Sequence, residues 1–155
     1  MRENKNRKIK IFCNILFGVY LVVLFYFLFF AEMAGRMEEG RTYRYNLILF
    51  KEITRFIKYH DVLGWMPVFQ NLIGNILIFL PFGMLVPILS RRYKKFWCVT
   101  LLSFELSLAV ELIQLITKTG SCDVDDILLN TAGGMIGFAC YAWLRRRRRK
   151  HDGKP

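Results

Sequence analysis

Histidine is scarce in this chain: it occurs at His60 and His151 only. No Ser/His/Asp or Cys/His spacing stands out around either, so nucleophilic catalysis has no visible base. The four cysteines, Cys13, Cys98, Cys122 and Cys140, form no C-x-x-C pair. That pattern indicates neither a zinc site nor a disulfide framework. Walker, GxGxxG and HExxH motifs are absent, and no cofactor is expected. Acidic residues are also few, 12 against 23 lysines and arginines, for a net charge of +11. In a soluble protein that excess would suggest nucleic acid. Here the basic residues abut long apolar blocks, which points to membrane topology and to no nucleic-acid partner.

What the chain does have is apolar length. Hydrophobic residues make up 54% of its 155 positions, above the roughly 45–50% of a soluble domain. They fall in four blocks, at about 11–31, 69–89, 96–117 and 127–144. Each approaches or exceeds the roughly 20 residues that cross a bilayer core. The first block has too long an apolar core and too poor a cleavage site for a signal peptide, so it reads as an uncleaved helix. Basic residues sit at the N-terminus, in the loop Ser90 to Lys95 and in the tail Arg145 to Lys150. With four spans all three lie on one side, which places both termini in the cytoplasm. The expected fold is an all-α, polytopic transmembrane bundle forming a single domain over residues 1–155. The arginine tail reads as a topology anchor against anionic lipid. Between the first two spans, Leu49, Phe50, Ile53, Phe56 and Ile57 recur at helical spacing. They predict an amphipathic helix at about 47–60 lying on the outer membrane surface; the plainer alternative is a loop that packs back on the bundle.

The polar residues inside the spans are the sharpest signal, because charge at the bilayer centre costs about 2.5–3.5 kcal/mol or more. Asn71 and Asn75 lie in the outer half of the second span, Glu111 and Gln114 in that of the third. Asp126 and Asn130 lie in the first turns of the fourth. Within each pair the residues are three or four apart and share a helix face. The third-span stripe extends inward to Ser107 and Ser103 and outward to Lys118. Asp123 and Asp125 sit in the loop closing over this level. Matched stripes at one depth predict a polar pocket open to the outside. Interhelical hydrogen bonding by the amides is the plainer reading, but it accounts poorly for several carboxylates together. A divalent ion held by these carboxylates, with His60 joining from the loop, is a further reading. Glu105 lies near mid-membrane, about 240° around the helix from Glu111, and its role stays open. Gly133 and Gly137 form a GxxxG pair suited to close helix approach, and Pro81-Phe82-Gly83 is expected to kink or break the second span.

The run from Asn71 to Gly83, the Glu111-Leu112-Ile113-Gln114 segment and the run from Gly120 to Gly137 together resemble the VanZ-like family. The resemblance covers roughly residues 45–144 and, more loosely, the first span. Asn71, Asn75, Phe79, Pro81 and Gly83 match its second-span motif, and Glu111 and Gln114 its E-x-x-Q. Asp123, Asp126, Asn130, Gly133 and Gly137 match its D-x-x-D-x-x-x-N-x-x-G-x-x-x-G pattern. Asn46 to Phe50 looks like its NLxPF segment, with Leu49 where proline is common, and Cys122 stands where an aromatic or alanine is usual. The resemblance implies a multi-pass protein of the bacterial cytoplasmic membrane. The family's namesake is linked to low-level resistance to the glycopeptide teicoplanin.

The expected ligand-binding set is therefore Asn71, Asn75, Glu111, Gln114, Asp123, Asp126 and Asn130. Its expected partners are the bilayer and a lipid or cell-wall-related ligand on the outer face. Three alternatives stay open. One is an outer-surface enzyme acting on a lipid-linked substrate through Glu111 and Asp126. Another is a small proton- or cation-coupled transporter using Glu105 and Glu111. The third is a structural partner that assembles through its glycine face.

Overall fold

A computed structural model describes residues 2–27, 43–151 and 153. The fold is helical, with α1 at Arg2–Tyr26, α2 at Lys51–Lys58 and α3 at His60–Leu63. The long helices α4, Trp65–Leu89, α5, Phe96–Thr117, and α6, Val124–His151, follow. By length and composition α4, α5 and α6 suit a membrane crossing, and they identify a membrane protein. The apolar part of α1, Ile11–Tyr26, is shorter within the described residues; the end of the expected first block, from residue 28 on, lies outside them.

The second expected span is longer than its apolar core, because α4 starts at Trp65 and passes through a π-helical turn at Phe69–Ile73. Pro81 and Pro87 lie inside this helix, which nonetheless continues to Leu89. Of the expected kink or break at Pro81, the break does not occur. Three residues before Pro81, the Ile78 carbonyl accepts a hydrogen bond of 2.8 Å from the Tyr20 hydroxyl of α1. Pro81 has no N–H to offer the Leu77 carbonyl four residues before it, and the Tyr20 contact ties the adjoining turn of α4 to α1.

The tightest packing joins α4 to α6, and glycine makes it possible. A Cβ on Gly133 would overlap the Ile76 carbonyl, and one on Gly137 the Leu80 carbonyl. A Cβ on Gly83 would overlap the Gly134 carbonyl, and one on Gly134 would strike Ser103 of α5. The GxxxG pair thus serves the expected close helix approach, within the chain. Phe82, Val86 and Val99 form the buried core, with Phe17, Tyr20 and Phe138 packed against it.

Phe17 stacks near Phe82 and Tyr20 reaches Ile78, so α1 runs antiparallel to α4. The start of α1, the 90–95 loop and the end of α6 therefore share one end of the bundle. The other end carries a two-residue parallel pairing not expected from the sequence, of β1, Tyr45–Asn46, with β2, Cys122–Asp123. The outer-loop helix is shorter than expected, starting at Lys51 after Phe50, which sits in the left-handed region at φ 63°. Its first turn is held to the start of α6 by backbone N–H groups that donate to the Asp125 carboxylate.

Candidate functional site

A cavity of about 660 Å³ lies at the β1–β2 end of the bundle. Its polar part is lined by Asn71, Asn75, Glu111, Gln114, Asp126 and Asn130. These are the paired residues of the three expected stripes, brought together by α4, α5 and α6. Its apolar wall comes from α1 and α4 and includes Tyr20, Leu24, Phe27, Leu77 and Pro81. Sequence reasoning missed this wall, since apolar residues in a span carry no mark of which face they line. Glu105 does not line the cavity.

The polar groups are fixed by hydrogen bonds between helices and loops. The Asn75 side-chain amide donates to the Asp126 carboxylate, joining α4 to α6. Asn71 turns back on its own helix and donates to the Pro67 carbonyl at 2.9 Å. Glu111, 2% exposed, accepts the Asp123 backbone N–H at 2.8 Å and so pins the loop to α5. Asn130 donates to the Ser107 hydroxyl at 2.9 Å. Its side-chain oxygen is buried with no hydrogen-bond partner among the described residues. A buried acceptor without a donor costs stability.

Asp123 is the one expected site residue that does not line the cavity. Its carboxylate accepts from the Asn46 side chain at 3.1 Å and from the Asp125 N–H at 2.8 Å, stitching β1 to the start of α6. Burial is the main influence on its titration and raises its pKa above the ordinary 3.8, overriding the two hydrogen bonds. The folded state therefore keeps this proton to higher pH than the unfolded chain. The associated stability is full below about pH 3.8 and is lost as pH rises through the raised value. Asp123→Asn keeps the accepting oxygen and should flatten this decline, as seen in the unfolding midpoint of the purified protein across acid to neutral pH. An unchanged slope would contradict the assignment.

Asp125, absent from the expected set, ties the start of α6 to the start of α2. It is 1% exposed and its carboxylate accepts from the backbone N–H groups of Phe50, Glu52 (2.8 Å) and Ile53 (3.3 Å). These are the open donors at the N-terminus of α2, which has no side-chain cap of its own. An acid there also meets the favourable end of the helix dipole. The Cys122 thiol beside it is buried, and burial with the Glu111 and Asp123 charges pushes its pKa up. Lys118 lies off the polar stripe: it ends α5 in the left-handed region and places its ammonium 4.3 Å from the Tyr43 ring centre. His60 pairs with Asp61 at 3.0 Å, and no group of three or more His, Cys, Asp or Glu among the described residues could hold a metal ion.

This arrangement of stripes, acidic loop and glycine-packed helices extends through most of the chain, and a family model described as VanZ/LLP1 matches residues 17–145. The chain belongs to the VanZ/LLP1 family. It is 37% identical over 75 residues to protein VanZ of Enterococcus faecium, covering 47% of this chain and 45% of that protein. It thus spans less than half the length of that relative. No solved structure matches. Within this VanZ/LLP1 chain, the acids of the D-x-x-D motif divide their work. Asp123 holds the loop and Asp126 lines the cavity.

Proposed function

We propose that this VanZ/LLP1 protein crosses the bacterial cytoplasmic membrane four times, with both termini in the cytoplasm. In this reading its outward-facing cavity binds an amphiphilic cell-envelope ligand and so contributes to teicoplanin resistance. The basic residues at one end of the bundle favour that end as cytoplasmic, which turns the cavity outward. The carrying observation is the cavity's division into an apolar wall from α1 and α4 and a polar floor from α4, α5 and α6. Such a wall suits an acyl or prenyl chain, and the floor suits a headgroup rich in hydrogen-bonding groups. A lipid headgroup, a lipid-linked cell-wall intermediate and a lipoglycopeptide all have this chemistry. Binding any of them at the outer leaflet would reduce antibiotic access to its target.

The test is susceptibility to teicoplanin and vancomycin in a sensitive host carrying wild type or Glu111→Gln at matched membrane levels. Glutamine keeps an oxygen to accept the Asp123 N–H and removes the charge. Wild type should raise teicoplanin tolerance selectively, and the variant should lose most of that gain. Equal tolerance with and without the wild-type protein would contradict the resistance reading.

A further inference from the structure

Glu105 is the one acidic residue of α5 that does not line the cavity. It lies nine residues past Phe96 in a helix of 22 residues, so roughly 13 Å along an axis of about 33 Å. Its side chain is exposed on the outside of the bundle. No hydrogen bond or ion pair is made by it among the described residues. Its helix neighbours on the same face are Leu101 and Ala109, both exposed, one turn to either side, with Leu112 beyond and half-buried Cys98 two turns back. A carboxyl group at that depth facing lipid alone is costly in either protonation state. The charged form lacks water, and the neutral form lacks a hydrogen-bond partner.

From this we infer that the Glu105 face of α5 is an interface between two copies of the chain, related by a two-fold axis along the membrane normal. The occupant follows from complementarity. No lysine or arginine lies between Ile11 and Ala31, between Trp65 and Leu89, in α5 or between Val124 and Leu144, so a copy offers no cation from its apolar blocks. It offers Glu105 itself. A carboxylic acid is donor and acceptor at once, so two of them close a reciprocal pair. Two copies inserted in the same direction bring Glu105 to the same level without any adjustment, as an isologous interface requires. Ala109, small and exposed beside it, lets the two α5 helices approach closely.

The test uses the full chain in native membranes. Förster transfer between donor- and acceptor-labelled copies, with bismaleimide crosslinking at Cys98, reads the interface. Wild type should give a covalent dimer that Cys98→Ser abolishes. Glu105→Gln, equally self-complementary, should retain it, and Glu105→Leu should lower the dimeric fraction about fivefold or more at equal expression. Leu101→Cys and Ala109→Cys, each in a Cys98→Ser background, should restore crosslinking. Energy transfer unchanged by Glu105→Leu would overturn the inference, as would a Cys98 crosslink to a different polypeptide in place of a second copy.

Discussion

Gly83→Ala and Gly137→Ala should each remove most of the folded protein from the membrane, although each adds one methyl group. The added carbon of Gly83→Ala would overlap the backbone carbonyl of Gly134, and that of Gly137→Ala the carbonyl of Leu80. Backbone cannot swing aside as a long side chain does, so α4 and α6 would have to separate. That separation would release the contacts of Phe79, which is fully buried, and would open the cavity floor between Asn75 and Asp126. Overpacking commonly costs about 1–3 kcal/mol, and a rigid backbone obstacle places these two substitutions at or beyond the upper end. Gly18→Ala is the control, since a Cβ there meets nothing within 4 Å. It should be neutral or slightly favourable through helix propensity. Membrane-inserted protein and the unfolding midpoint in detergent report the difference. Equal stability of all three variants would contradict the α4–α6 packing.

The second large effect is expected at Asp125. Asp125→Ala leaves the Phe50, Glu52 and Ile53 N–H groups without their acceptor. Hydrogen bonds to a charged group contribute about 1.5–3 kcal/mol each. Even without full additivity, the α2 segment should lose about 3 kcal/mol of docking. Hydrogen exchange at those three amides should accelerate about 100-fold or more, with the exchange of α5 little changed. Asp125→Asn should fall between, since its single oxygen can replace part of the cap. Unaltered exchange at Glu52 and Ile53 in the alanine variant would show that α2 is held by something else.

These two effects differ in how far the sequence reveals them. Gly133 and Gly137 announce themselves by spacing within one helix, and so do the pairs Asn71/Asn75, Glu111/Gln114 and Asp126/Asn130. Each is a local periodicity, and depth in the membrane adds a common level at which the stripes must meet. The Asp125 cap is different. Its partners lie more than 70 residues away, and no periodicity connects an acid at the start of α6 to the first turn of α2. The same holds for Asn46, whose bond to Asp123 and pairing beside Cys122 are long-range. The α1 wall was hidden for another reason. In a span made almost wholly of apolar residues, Tyr20 and Leu24 look no different from residues that face lipid. Pro81 does not break α4, because proline weakens a helix locally while the packing of α4 against α1 and α6 sustains it.

The cavity can be filled without disturbing the packing that forms it. Gly74 lines it, and a Cβ there meets only the Phe69 carbonyl, at 3.8 Å. A large side chain at this position has room to enter the cavity. The most direct measurement is therefore native mass spectrometry of the protein released from membranes, comparing wild type with Gly74→Phe at equal stability. A tightly held amphiphile is expected on the wild type and is expected to be lost from the variant. The same amphiphile at the same occupancy on both proteins, or none on the wild type, would contradict the binding reading.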